Sequence, residues 1–516
     1  MRILYTIMAA AIAFLATTTA AGQSKSFKLG QWTEVHSAIV KELNRSYVDS
    51  LPVDRIMRAG VDAMLEELDP YTVYIPEEEN EDLQMMLSNT YGGIGAIIHK
   101  TIDSNVIINE PYANSPASKA GLTCGDEIIS IDGTLTKGLK IKESTDRMKG
   151  KPGTTVVFNV KKVRPGDTLD IPVLRERIHL PDVQYAEMLD DTTGYLLLGG
   201  FTENVGADVR AEFIKLKNKG MKRFVLDLRG NGGGLMGEAV NIISIFVPKG
   251  TLAVSSKGNT ESSLREFHTT LDPVDTEMPL IVLVDSGSAS ASEIVAGAIQ
   301  DHRRGTIMGT RSYGKGLVQS IRPLPYNGQM KVTTAKYYTP SGRCVQAIDY
   351  KNRNEDGTAV KHEGGIAPDV TIEHKEYSRL VYALVLGGVI DQYAIDYARR
   401  HESIPAVEEF HFSDEAYEDF IDFAKTQEFD YRSSAKTLYD QMKEELKKDG
   451  LADTMSEELK ALESALEMDK ERFLRLKKDE IIPFIEEELA TRYWFQKAGV
   501  EVRLRYDDQL KEALEK

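Results

Sequence analysis

Residues 280–296 read Leu280-Ile281-Val282-Leu283-Val284-Asp285-Ser286-Gly287-Ser288-Ala289-Ser290-Ala291-Ser292-Glu293-Ile294-Val295-Ala296. Five consecutive apolar residues predict a strand buried on both faces. A turn of small residues follows, and Glu293 opens a helix expected over Glu293–Gln300. Strand, tight turn and helix form the repeating unit of an α/β core. The same alternation extends outward in both directions. Strands are expected at Tyr195–Phe201, Phe224–Leu228, Thr306–Gly309 and Met330–Tyr337. Helices are expected at Val205–Lys217 and Gly237–Ile245. These bounds place an α/β core at 177–375.

The flanks differ in character. Residues 89–176 carry a glycine cluster, Gly92, Gly93 and Gly95. Short strand-like runs follow, separated by turns such as Asp132-Gly133 and Lys151-Pro152-Gly153, with one short helix at Lys142–Met148. This predicts a small, mostly β module. Residues 23–88 show helical spacing interrupted at Asp69-Pro70. Residues 376–516 hold 34 acidic and 21 basic side chains, a net of −13. Met455, Leu459, Leu462 and Leu466 form a helical stripe there. The acidic tail reads as a solvated helical appendage or as an interaction surface. At the other end, Met1-Arg2 precedes an apolar run from Ile3 to Ala16 and a small-residue exit at Ala20-Ala21-Gly22. That order predicts an export signal over 1–22, too short for a typical membrane span, which needs about 20 residues. Retention of the segment as an anchor is the alternative. In either case an exported, periplasmic or cell-envelope location is expected, with no stable membrane span once the signal is removed.

Composition narrows the function. The 516 residues are 41% hydrophobic and 28% charged, values of a globular chain. The net charge of −17 argues against sequence-independent nucleic-acid binding, which needs a cationic face. Two cysteines, Cys124 and Cys344, cannot build a disulfide scaffold or a four-cysteine zinc site, and free thiols are expected. No His-Glu-x-x-His occurs, so no metal site and no cofactor are predicted.

Three stretches carry the chemistry. The turn ending at Ser290 can present a hydroxyl at a helix start, where backbone N–H groups stabilise an oxyanion. Ser290 and Glu293 equally spell a helix-capping pair. The stretch Gly309-Thr310-Arg311-Ser312-Tyr313-Gly314-Lys315-Gly316 nearly matches a phosphate-binding loop, but Gly316 replaces the magnesium-binding hydroxyl. Lys315 reads either as a turn residue or as a lysine held close to a nucleophile. In Asp227-Leu228-Arg229-Gly230-Asn231-Gly232-Gly233-Gly234 the glycines allow close backbone approach, as a flexible turn or as a second oxyanion donor. His302, next to Arg303-Arg304, reads as a solvated helix end rather than a base.

Taken in order, these stretches resemble the C-terminal processing peptidases, or tail-specific proteases. Further matching segments are Leu68-Asp69-Pro70-Tyr71-Thr72, Gly93-Ile94-Gly95-Ala96, Ser115-Pro116-Ala117, Gly125-Asp126-Glu127-Ile128, Tyr337-Tyr338-Thr339-Pro340-Ser341-Gly342-Arg343 and Gly365-Ile366-Ala367-Pro368-Asp369. The resemblance covers about residues 30–375. It implies a crotonase/ClpP-like α/β protease core with an inserted PDZ domain. It also implies Ser290 as nucleophile, Lys315 as general base and Gln319 as the residue supporting the lysine. The backbone amides of Ala291 and Gly233 are the implied oxyanion donors. The loop Gly93, Ile94, Gly95 and Ala96 would receive a peptide carboxylate, with the peptide added as a strand beside Ile94–Ile98.

A free lysine titrates near 10.4, so only about 0.1% is neutral at pH 7.5. A basic Lys315 must therefore be desolvated or sit near other positive charge, and bringing its pKa to about 7.5 costs roughly 4 kcal/mol. The expected partners are proteins or peptides with free, apolar or unfolded C-termini. An adaptor, or self-association through the helical tail, is a further expectation. The competing reading is an inactive PDZ adaptor on a dead protease core.

Overall fold

The computed structural model describes residues 25–101, 104–163, 166–429, 434–451, 454–466 and 470–516. The signal expected at 1–22 lies outside the described residues. The chain divides into two compact units, one ending at Tyr74 and one running from Ile75 to Lys516.

In the first unit, helix Lys25–Ser46 buries no side chain and helix Val53–Glu66 turns Leu65 inward. The break expected at Asp69-Pro70 is a side-chain-capped turn. Asp69 Oδ1 accepts the N–H groups of Tyr71 and Thr72, each at 2.8 Å, and Oδ2 accepts the Thr72 hydroxyl.

The second unit is built on a six-stranded sheet. Its order is Val183–Met188, Thr193–Leu198, Arg223–Asp227, Leu280–Val284, Thr306–Gly309 and Val370–Thr371. The first pair is antiparallel and the others are parallel. Parallel neighbours need crossovers, and helices Val205–Asn218, Met236–Phe246 and Ala291–Asp301 supply them. All three pack on the face carrying Leu196, Leu198, Phe224, Leu226, Val282 and Val284. Phe213 sits edge-on to Phe224 and Phe246, with ring centroids 4.9 and 5.4 Å apart. Alternate residues of the same strands point the other way. Tyr195, Leu197, Val225, Ile281 and Leu283 are buried there against Val500, Leu510 and Ala513 from the end of the chain.

The tail is therefore not the solvated appendage that its charge suggested. It has its own apolar core, including Tyr393, Phe412, Phe420 and Ile485. Its last helix, Asp508–Glu515, closes the second face of the sheet. Most of the described acidic side chains of the tail are exposed, which is why composition alone misread it, although Glu486 is buried and accepts the Phe412 N–H.

The mostly β module enters and leaves through one ribbon, Thr90–Gly93 paired antiparallel with Glu176–His179, as an insertion requires. Its sheet runs Ala96–Lys100, Val106–Pro111, Glu127–Ile131, Thr155–Lys161 and Thr168–Leu174. Strand Thr155–Lys161 shows the expected period of two, with Val156, Phe158 and Val160 inward. The module meets the tail through polar contacts. His99 Nε2 lies 2.9 Å from Asp391 Oδ2, and the Gln496 N–H donates to Glu110; within the tail, Arg492 Nη2 donates to Asp391 Oδ1 at 2.9 Å.

A second antiparallel sheet joins Leu317–Pro323, Gln329–Tyr338, Leu252–Lys257 and Arg265–His268. It stands over the start of helix Ala291–Asp301 and brings Tyr337 to it. No described helix is long and apolar enough to cross a membrane. Cys124 and Cys344 are both free.

Candidate active site

Ser290 stands at the junction of strand Leu280–Val284 and helix Ala291–Asp301, with φ 55° and ψ −111°. A non-glycine residue rarely holds such a conformation, and its neighbours must enforce it. They do so with a dense set of bonds. Ser288 Oγ donates to the Leu228 carbonyl at 2.7 Å. The Ala289 N–H and Ser292 Oγ both donate to the Asn231 carbonyl, at 3.0 and 2.8 Å. Asp285 Oδ1 accepts from the N–H of Gly230 across the gap and from the N–H of Gly287 in its own turn. The serine turn and the glycine-rich turn are thus stitched into one body.

Glu293 ties the third stretch to the same body. Its side chain is buried. Oε2 accepts the N–H groups of Ser290 and Lys315, at 2.8 and 2.9 Å. Oε1 accepts the Ser312 hydroxyl and the Gly314 N–H, at 2.6 and 2.7 Å. Burial raises the Glu293 pKa, and these four donors oppose the rise. One carboxylate therefore fixes the backbone of both Ser290 and Lys315. The sequence showed Glu293 only as a capping partner, because its link to residues 312–315 is long-range.

The glycines around Lys315 serve close packing rather than phosphate binding. Gly314 has φ +91°, and a Cβ there would lie 2.6 Å from Ala347 Cβ. At Gly316 a Cβ would fall 2.6 Å from the Gln346 nitrogen.

Ser290, Lys315 and Gln319 line one cavity of about 320 Å³. Gly232, Gly233 and Gly234 form part of its wall, and Leu235, Ile294, Leu317, Ile321 and Tyr337 contribute apolar surface to it. Met86 and Leu87 reach in from helix Asn80–Ser88, outside the α/β core, and sequence spacing gave no sign of them. Gln319 Nε2 lies 3.4 Å from Thr333 Oγ1. Tyr337 donates its hydroxyl to the Ser290 carbonyl at 3.0 Å.

The two oxyanion candidates differ. The Ala291 N–H has no acceptor among the described residues and lies at the helix N-terminus beside Gly233. The Gly233 N–H already donates to Asn231 Oδ1 at 2.9 Å. Gly233 does stand against the serine: a Cβ there would meet the Ala289 oxygen at 2.5 Å and Ser290 Cβ at 2.8 Å. His302 Nε2 lies 2.7 Å from the Leu252 carbonyl oxygen, a structural contact across to the second sheet.

In the β module, Gly93 pairs with Glu176 and Ile94 is buried in the module's core. The N–H groups of Ile94 and Gly95 have no acceptor among the described residues. Gly95 has φ +72°, with Ser115 packed where a Cβ would go. Ala96 begins the strand at the edge of the sheet.

The sequence profile of peptidase family S41 matches residues 192–372. A PDZ domain profile matches 107–162, and that of the C-terminal helical domain of probable PDZ-proteases matches 380–516. Over 340 residues the chain is 37% identical to a carboxy-terminal-processing protease of Bartonella bacilliformis, covering 65% of this chain and 74% of that one. It is 31% identical over 344 residues to a probable CtpA-like serine protease of Staphylococcus aureus, covering 66% and 65%. A solved photosystem II D1 C-terminal processing protease is 27% identical, with a TM-score of 0.35, covering 64% of this chain and 91% of that one. The profile matches and the two sequence relatives define a serine protease with an inserted PDZ domain. The chain belongs to peptidase family S41, among the carboxy-terminal-processing proteases.

Proposed function

We propose that the chain is an exported endopeptidase that works through a Ser290–Lys315 dyad. The observation that carries this reading is the single cavity lined by both residues, with their backbones fixed by Glu293. Neutral Lys315 takes the hydroxyl proton as Ser290 Oγ attacks the scissile carbonyl. The oxyanion is received by the Ala291 N–H, joined by the Gly233 N–H once it leaves Asn231. Collapse of the intermediate expels the amine, which takes the proton back from Lys315. Water then hydrolyses the acyl-enzyme, with Lys315 again as base. Gln319 steadies the lysine from the same wall.

Substrates are selected by apolar or unfolded C-termini. The terminal carboxylate meets the unpaired N–H groups of Ile94 and Gly95, in the loop running from Gly93 to Ala96. The peptide adds as a strand along Ala96–Lys100, whose outer edge is open. Helix Ile141–Met148 supplies the opposite wall. Export follows from the leader grammar of residues 1–22.

The test is digestion of a loosely folded protein with an apolar tail by the chain starting at Gln23, with Ser290→Ala beside it. Cleavage lost in the folded variant supports the reading. Equal cleavage by both forms overturns it.

A further inference from the structure

Arg229 lies four residues before Gly233, and its guanidinium is fully engaged. Nε donates to both oxygens of Asp227, each at 3.0 Å. Nη1 donates to Asp507 Oδ1 at 3.1 Å and to Gln509 Oε1 at 2.9 Å. Nη2 donates to Asp227 and to Asp507, each at 2.5 Å. Asp227 also accepts the Tyr195 hydroxyl at 2.7 Å, so the arginine is anchored in the sheet on one side. On the other side, Asp507 caps the final helix by accepting the Leu510 N–H, and Gln509 Nε2 donates to the Ile372 carbonyl. A planar fork held by two carboxylates fixes orientation far better than a single pair would.

The consequence runs along the chain. The residue before Arg229 offers its carbonyl to Ser288, and the next two, Gly230 and Asn231, bond the serine turn through Asp285, Ala289 and Ser292. The tail thus ends within one side chain of the turn that frames Ser290.

We propose that Asp507 and Gln509 are positioning residues for catalysis, acting through Arg229 to hold the Gly230–Gly233 turn and Ser290 in register. The C-terminal end of the chain is then part of the catalytic scaffold as well as a cover for the sheet. This rests on Ser290 being the nucleophile.

Full-length Asp507→Ala and Asp507→Asn tested for peptide cleavage, melting temperature and the rate of Ser290 labelling by a fluorophosphonate will decide it. The expected result for Asp507→Ala is a roughly tenfold or greater fall in kcat and in labelling rate, with KM within about twofold. Asp507→Asn keeps the Oδ1 acceptor for Arg229 Nη1 and the Leu510 N–H but turns an N–H₂ group toward Arg229 Nη2, so its kcat and labelling rate fall as well, by less than in Asp507→Ala. Gln509→Ala gives a smaller loss of the same kind. Asp508→Ala, at the exposed next position, changes nothing. A lowered melting temperature in Asp507→Ala with kcat and labelling unchanged overturns the proposal. If Asp507→Ala fails to fold, an Asp507→Asn enzyme of wild-type kcat and labelling rate, together with a wild-type Gln509→Ala, overturns it equally. Full activity of Ser290→Ala would instead defeat the dyad reading, which keeps the two failures separate.

Discussion

The two faces of the core sheet are covered in different ways. One face is covered by helices Val205–Asn218, Met236–Phe246 and Ala291–Asp301, each lying between the strands it connects. The other is covered by Val500, Leu510 and Ala513, more than a hundred residues beyond the last strand of the sheet. The first cover follows from topology, because parallel strands need crossovers and crossovers of one hand place their helices on one side. The second has no such local cause. It packs the core sheet against residues from the far end of the chain.

The largest effect is expected from ending the chain at residue 375. Leu197, Val225, Ile281 and Leu283 then face water, and the Arg229–Asp507 link is lost. The expected product is insoluble or unfolded, measured by solubility and circular dichroism. A soluble, cooperatively melting fragment would show that the second face needs no cover.

Next in size is the effect of Glu293→Gln on activity. Glutamine presents an N–H₂ group where all four neighbours are donors. The expected loss in kcat is a hundredfold or more, with Ser290 labelling reduced in parallel. Wild-type turnover would show that Glu293 is only a helix cap.

Single truncations compare the two covers directly. Ile299→Ala beneath the crossover face is expected to cost about 3 kcal/mol in a urea melt, as deletion of a buried branched side chain does. Leu510→Ala on the tail face is expected to cost about 2 kcal/mol, at the lower end of the range for such deletions, because the terminal helix can relax. Only the second is expected to slow Ser290 labelling.

The smallest effect concerns pH. The hydrogen bond to Asp391 raises the His99 pKa above 6.5, its ordinary value. A histidine raised in the folded state stabilises the contact fully below the unfolded value of about 6.5. That contribution is lost as pH rises through the folded value. The protection factors of strand Ala96–Lys100, corrected for the intrinsic pH dependence of amide exchange, should therefore fall modestly from about pH 6 to pH 8. The change should vanish in Asp391→Asn, and an unchanged pH dependence there would contradict the assignment.

How much of this was legible in the sequence follows the same divide. Strand Leu280–Val284 and its helix were readable from one window of residues, because their burial repeats at short range. The inserted β module was readable from its glycine cluster, its short strand-like runs and the turns between them. Ser290, Lys315 and Gln319 came from ordered motifs, and they line one wall. Glu293 as a four-donor hub, Arg229 as a clamp and Met86 as cavity lining were not readable. Each depends on contacts between segments from 19 to more than 200 residues apart, which no local pattern encodes. The tail was misread for a related reason. Most of its charge sits on the surface, while Val500, Leu510 and Ala513 meet a sheet laid down far earlier in the chain.

Lys315 as the base for Ser290 is the step on which the proposed mechanism turns. The most direct test is the rate at which a fluorophosphonate labels Ser290 in the wild-type chain and in Lys315→Arg. A guanidinium stays protonated and cannot accept the proton. The expected result is labelling slowed at least a hundredfold in a variant that melts normally. A Lys315→Arg enzyme labelled at the wild-type rate would contradict it.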